Sequence, residues 1–302
     1  MIDVANKVAR NRRFDGLFAI IGLLSTLIGM ITLAALILDL ATAGLSRLSP
    51  HFFTSFPSRF PTQAGILSAW VGTCLIMLVT AATAVPMGVA AGVYLEEYAP
   101  KNWLTALIEI NIANLAGVPS IVYGLMALGL FVYQLKLGQS VLSAGLTLAL
   151  LILPIVIVAT REAIRAVPSS MREAAYALGA TKWQTTRDHT LPYSMGGVLT
   201  GVIIALSRAI GESAPLITIG ALTFIAFLPD SPLKAEFPFI SFEWLFSPFS
   251  AMPIQMFNWV SRPQQEFHLN AAATGLVLMV MTLAMNGIAI YFRYRFRKRI
   301  KW

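Results

Sequence analysis

The sequence predicts an all-α polytopic membrane protein of about six transmembrane helices, with a polar helical hairpin between the fourth and the fifth. Three observations carry that prediction. Apolar residues make up 57% of the chain and charged residues only 12%, a balance that leaves little polar surface for a soluble domain. The apolar residues gather in runs of about 20, the length a helix needs to cross the hydrocarbon core. Lys and Arg cluster at the two ends and around one connection, the asymmetry that fixes orientation in a bilayer.

In chain order, residues 1–16 form a basic tail with Lys7, Arg10, Arg12 and Arg13. The first span, Leu17 to Leu40, is too long for the apolar stretch of a removable secretory signal, and no clean small-residue cleavage pattern follows, so it reads as retained. The second, Ile66 to Tyr94, contains Pro86 and the single cysteine, Cys74, which reads as a small core residue and excludes an intrachain disulfide. From Glu96 to Asn111, the residues Trp103, Leu104, Leu107 and Ile108 form an apolar stripe at helical spacing, so this connection is expected to lie along the inner membrane interface. The third span, Ile112 to Tyr133, holds Pro119, and the fourth, Val141 to Thr160, holds Pro154. Such prolines are tolerated where neighbouring helices or water re-satisfy the freed backbone groups.

The fifth span runs from Gly196 to Phe227 with Pro215 inside it, and the sixth from Ala271 to Tyr291. Between them, Leu228 to Asn270 carries Lys234 and Arg262 against Asp230, Glu236, Glu243 and Glu266, the balance of an external loop. Its aromatics, Phe237, Phe239, Phe242, Trp244, Phe246, Phe249, Phe257 and Trp259, suit an outer headgroup belt or a seal over the outer mouth. Residues 293–302 form a second basic tail with Arg293, Arg295, Arg297, Lys298, Arg299 and Lys301. An even number of spans puts both tails inside, together with Arg161, Arg165, Arg172, Lys182 and Arg187 around the hairpin. The formal charge of +8 is thus mostly an orientation signal, and no nucleic-acid partner follows from it.

The hairpin, Glu173 to Pro192 within a connection at 161–195, is the most specific local feature. Ser170 to Glu173 has the capping-box pattern and Gly179 supplies a left-handed stop, which predicts a two-turn helix over Met171 to Leu178, set off from the preceding span by Pro168. Thr181 to Gln184 repeats the capping pattern and predicts a second short helix ended by Pro192. Met171, Ala174, Ala175 and Leu178 share one face, apolar at its edges and small in the middle, shaped to nest in a partner's groove.

Within the fifth span, Ser207 to Pro215 reads SRAIGESAP and is expected near the middle of the membrane. Charged groups at that depth cost several kcal/mol unless paired, wet or facing the bundle interior. Arg208 and Glu212 stand four apart on one helical face and can neutralise each other, while Ser213 offers a hydroxyl. The pair reads either as a substrate pathway, since a guanidinium forms paired hydrogen bonds to an oxyanion, or as a structural clamp that fixes helix register. His51, His189 and His268 are scattered without metal-ligand spacing, so no metal site is expected.

Glu173-Ala174-Ala175, Gly179 and Leu191-Pro192 stand at the spacing of the cytoplasmic EAA loop in membrane permeases of binding-protein-dependent ABC importers, which this sequence resembles. His189 departs from the Ile usual there, which weakens the packing expected of the second short helix. Arg208 to Pro215 resembles the Arg-x-x-Gly-Glu-(Ser/Thr)-Ala-Pro signature of phosphate importer permeases, and Gly117 to Gly124 resembles their third-span segment. The matches cover about residues 66 to 226.

The resemblance implies a type I importer permease fold with its core over about 66–292, in a bacterial cytoplasmic membrane. It implies ATPase coupling by Glu173, Ala174, Ala175, Leu178, Gly179, Leu191 and Pro192, and a substrate path past Arg208, Glu212, Ser213, Ser120 and Tyr123. The implied partners are a second, different permease, two cytoplasmic ATPase subunits, a periplasmic phosphate-binding protein and membrane lipid. ATP and magnesium belong to the ATPase, with no cofactor in this chain. Of the two sister permeases, the short amino-terminal tail and long external loop favour one type over the other.

Absences divide the labour in the same way. There is no GxxxxGK[ST] phosphate loop, no HExxH and no GxSxG, so neither ATP hydrolysis nor another enzymatic activity is expected of this chain. A secondary transporter is the alternative from another class; its mark would be an internal repeat with paired broken helices, which the sequence does not display.

Overall fold

The computed structural model describes residues 2–231 and 241–299, so Lys234, Glu236, Phe237, Phe239 and Lys301 lie outside the described residues. Helices α1 (Ile2–Gly44), α2 (Pro50–Thr54), α3 (Leu67–Val93), α4 (Trp103–Leu115), α5 (Ser120–Ala127) and α6 (Val141–Arg165) build the first half of the chain. The second half contains α7 (Ser169–Ala177), α8 (Lys182–Thr185), α9 (Leu191–Ile210), α10 (Ala214–Ile219), α11 (Met252–Val260) and α12 (Gln265–Arg299). Among the described residues, five helices are long and apolar enough to cross a membrane, and Trp103–Leu115 with Ser120–Gln134 form an apolar pair bent by 105°, which makes a sixth if the two are one broken span rather than a re-entrant loop.

The third span therefore is not the straight run expected over Ile112 to Tyr133. Pro119 lacks an N–H and holds the residue before it out of the helical region, so the chain turns a corner at Ala116–Pro119. The stripe of Trp103, Leu104, Leu107 and Ile108 does lie on a helix, and all four side chains are exposed on α4. The fifth span also breaks. Helix α9 stops at Gly211, the short α10 follows with Pro215 in its first turn, and Gly220 at φ +102° ends it, so residues 221–227 carry no helix. The SRAIGESAP segment accordingly sits at a helix end rather than in the middle of a continuous span.

Close approach explains the packing. Thr80 of α3 donates to the Gly145 carbonyl of α6 at 3.1 Å. A Cβ on Gly88 would lie 2.7 Å from Val156 Cγ1 and one on Gly92 2.6 Å from Thr160 Cβ, so α3 meets α6 along a small-residue seam. Helix α1 stands apart, with Phe18, Ile28 and Leu38 exposed within the chain. It joins α12 near its end, where Gly44 meets Ala273 and Leu40 meets Gly275, an antiparallel pairing. Since Asn286 of α12 meets Ser207 of α9 and Arg293 meets Thr200, α12 runs antiparallel to α9, and the start of α1 and the end of α12 both lie towards the hairpin end of the bundle.

Three local expectations change. Pro168 is itself the N-cap of α7, with no side-chain cap, so Ser170 lies inside the helix and the expected Ser170–Glu173 capping box is absent. Pro192 does not end α8: a π-helical turn over Thr186–Thr190 carries the chain into α9, where Pro192 occupies the first turn and needs no N–H partner. Cys74 is exposed, in an apolar groove between α3, α9 and α12, rather than in the core. Trp244, Phe249 and Trp259 of the long connection are buried, whereas Phe242, Phe246 and Phe257 are exposed, so half of the described members of this aromatic set serve the core.

Candidate functional site

The hairpin begins behind Pro168, whose extended backbone (ψ 137°) turns the chain out of α6. Gly179, at φ +83°, stops the first helix in the left-handed region, as its position predicts. Thr181 caps α8 with both halves of a capping box in place: its N–H donates to Gln184 Oε1 at 2.8 Å, and Gln184 N–H donates to Thr181 Oγ at 3.3 Å. Glu173, Ala174 and Gly179 are exposed, Leu191 and Pro192 are half-buried, and Ala175 turns inward to a buried position. Leu178 is 90% exposed, an apolar tip standing clear of the chain beside Tyr176 and Trp183, which are also exposed. On the following turn Arg187 pairs with Asp188 at 2.7 Å, and its hydrogen bond holds that carboxyl below the usual aspartate range.

Arginines that the sequence marks only as orientation signals prove to be paired. Arg172 of α7 donates from Nε and Nη2 to Glu97 Oε1 at 3.0 and 2.8 Å, and from Nη1 and Nη2 to the carbonyls of Val167 and Ile164. Glu97 is buried in a π-helical turn, Tyr94–Tyr98, that closes α3. The adjacent Glu96 takes Arg165 at 3.0 Å, and the buried Arg161 reaches Glu109 of α4 at 2.7 Å. Hydrogen bonding to Glu96 holds Arg165 above even the high ordinary arginine value. Consecutive glutamates at a predicted span end facing a basic hairpin are the sequence signal for this network.

At the break of the fifth span, Arg208 Nε lies 3.3 Å from Glu212 Oε1, and both side chains remain partly open. At the membrane depth expected from the sequence, an arginine left partly open at a helix end would need water, a substrate or another subunit beside it. Ser207 donates to Asn286 Oδ1 of α12 at 2.6 Å, so a polar side chain from the sixth span, unnoticed in the sequence, clasps the turn that carries Arg208. Ser213 opens α10 without a side-chain cap.

The two short limbs meet: Gly124 of α5 packs so closely on α10 that a Cβ there would lie 2.7 Å from Pro215 Cα. Tyr123, one residue before that contact, donates its hydroxyl to the Leu115 carbonyl at 2.8 Å. Ser120, one turn earlier, is half-buried at the start of α5. The structure thus gathers Arg208, Glu212, Ser213 and Tyr123 around two facing breaks. The broken spans expected of a secondary transporter are present, so breaks alone do not separate that class from an importer permease.

The family of binding-protein-dependent transport system inner membrane components matches residues 84–302. The phosphate transport system permease protein PstA of Yersinia pestis is 31% identical over 291 residues, covering 94% of this chain and 91% of that protein. A probable ABC transporter permease, YqgI of Bacillus subtilis, is 30% identical over 281 residues, covering 91% and 93%. Among solved structures, an inward-facing conformation of the MetNI methionine ABC transporter superposes with a TM-score of 0.59 at 15% identity, covering 74% of this chain and 93% of that one. At that identity the last likeness speaks for the fold alone.

Proposed function

The chain belongs to the family of binding-protein-dependent transport system inner membrane components, and from that premise we propose that it moves inorganic phosphate across the cytoplasmic membrane by ATP-driven alternating access. The observation that carries the substrate reading is the Arg208–Glu212 pair, partly open at a break where α5 and α10 face each other. A guanidinium offers the fork of donors that phosphate oxygens accept, and Glu212 neutralises it between passages. The PstA-type relatives, together with the long external connection, favour the PstA role over that of a PstC-type sister permease.

In this reading the chain pairs with a PstC-like permease, receives substrate from a periplasmic phosphate-binding protein of the PstS kind, and is driven by two PstB-like ATPase subunits that hold the ATP and magnesium. It is not itself an enzyme. Both termini and the hairpin face the cytoplasm, where Glu173, Ala174, Gly179 and the free tip of Leu178 meet the ATPase, with Ala175 bracing them from within and Leu191 and Pro192 carrying the motion into α9.

Initial phosphate uptake by Arg208→Gln and by the double variant Arg208→Gln, Glu212→Gln tests this reading. The single change leaves Glu212 unpaired and is expected to damage both assembly and uptake. The double change removes both charges; complex yield is expected to recover while uptake does not. Near-normal uptake by the double variant would make the pair a structural clamp, and competition of uptake by another oxyanion would reassign the substrate.

A further inference from the structure

The hairpin is joined covalently only to α6 and α9, yet the structure ties it to a third element. We propose that the Arg172–Glu97 pair is the joint through which movement of the hairpin reaches the second span, an inference that rests on the importer-permease reading above.

The geometry is that of a rigid knot. Every nitrogen of the Arg172 guanidinium is engaged: Nε and Nη2 on Glu97, Nη1 on the Val167 carbonyl, and Nη2 also on the Ile164 carbonyl. One side chain of α7 therefore holds the end of α6 and the end of α3 together. Glu97 is buried, so water screens the pair little and cannot readily replace it. The π-helical turn lets two consecutive glutamates grip different elements, with Glu97 on the hairpin and Glu96 on Arg165 of α6. Arg161 extends the knot through Glu109 to α4.

A displaced hairpin consequently pulls on the end of α3. That helix cannot yield by itself, because Gly88 and Gly92 seat it on α6 without slack. Its apolar face shares a core with Ala209 and Ile210, the residues that follow Arg208. The joint therefore connects the docking face to the turn that bears the proposed substrate pair by a route that does not pass along the backbone of α9. Arg172 and Glu97 touch no substrate in this account; they are positioning residues.

The test uses the whole importer, with both permeases and the ATPase, reconstituted in vesicles with the phosphate-binding protein supplied. Complex yield, ATP hydrolysis and phosphate uptake are measured for wild type, Glu97→Gln, Glu97→Asp and Arg172→Lys. Glu97→Gln is expected to keep complex yield and ATP hydrolysis but to lower phosphate moved per ATP several-fold, with Glu97→Asp recovering most of that ratio. A wild-type ratio in Glu97→Gln overturns the joint. So does loss of the ATPase from Glu97→Gln but not from Glu97→Asp, since the pair would then serve assembly. If neither Glu97 variant assembles, Arg172→Lys decides on the same ratio, because it keeps the charge and loses the fork. Wild-type complex that retains no ATPase overturns the permease reading itself, before any variant is compared.

Discussion

The hydroxyl of Tyr123 donates to the carbonyl of Leu115 at 2.8 Å, so a side chain on α5 satisfies the backbone of α4 across a corner of 105°. A broken span exposes carbonyls that a membrane interior cannot solvate, and this bond removes one of them. Tyr123→Phe is expected to cost about 1 kcal/mol of stability, the usual worth of one intramolecular hydrogen bond, measured as a lowered unfolding midpoint in detergent. KM for phosphate is expected to stay unchanged. A raised KM with an unchanged midpoint would instead support the expected place of Tyr123 in the substrate path.

The seam between α3 and α6 makes a sharper stability prediction. At Gly92 a Cβ would lie 2.6 Å from Thr160 Cβ, a contact that a side chain cannot relieve by rotating. Gly92→Leu is expected to destabilise by roughly 1–3 kcal/mol or to splay the two helices, with less complex recovered from membranes. The control is Gly196→Leu on α9, where nothing lies within 4 Å of the added Cβ. Equal yields from the two variants would remove the seam from the account of stability.

How much of this was legible in the sequence depended on distance along the chain. Gly179 and the Thr181–Gln184 box were readable because each acts on backbone within a few residues of itself. The corner at Pro119 carried a local signal too, but α4 and α5 are both apolar, so hydropathy runs straight through it. Pro192 does not by itself mark a helix end, because proline is as acceptable in the first turn of one helix as after the end of another. Cys74 carries no signal of its place, because an apolar face in a membrane protein serves equally as core or as an exposed groove. Ser207 and Asn286, 79 residues apart, and Arg172 and Glu97, 75 apart, could be paired only by the fold.

The Asn286 clasp invites its own measurement. Asn286→Leu removes an interhelical hydrogen bond, and such bonds in membrane proteins contribute about 0.6 kcal/mol on average. Only a small shift in unfolding midpoint is therefore expected. Uptake is expected to fall more than stability does, because Ser207 adjoins Arg208 and the clasp fixes the turn carrying it. Asn286→Gln, which keeps the amide, is expected to recover part of the uptake. Uptake that merely follows the stability loss in both variants would leave Asn286 a packing residue.

Gly179 separates backbone strain from lack of room. No atom lies within 4 Å of a Cβ built there, yet φ is +83°, so a substitution meets strain and no collision. Asparagine visits that region readily and a β-branched residue does not. Gly179→Asn is expected to transport close to wild type, whereas Gly179→Val pays about 1–3 kcal/mol and is expected to lose coupling while still inserting. Co-purification of the ATPase alongside uptake reads both effects. Normal transport by Gly179→Val would mean that the hairpin needs no fixed stop.

The start of α1, the end of α12 and the hairpin share one side of the bundle, the side that collects the basic residues, and the bias of Lys and Arg predicts that this side is cytoplasmic. Because Cys74 is exposed, the experiment starts from Cys74→Ala. Single cysteines are then placed at Asn11, Thr181 and Ser261, all exposed positions. In intact cells an impermeant thiol reagent is expected to label Ser261→Cys, at the end of α11 on the opposite side, and to spare Asn11→Cys and Thr181→Cys until the membrane is permeabilised. Labelling of Thr181→Cys from outside would invert the bundle and take the hairpin out of reach of any cytoplasmic ATPase. Labelling of Asn11→Cys alone would leave the hairpin where it is and require that α1 does not cross.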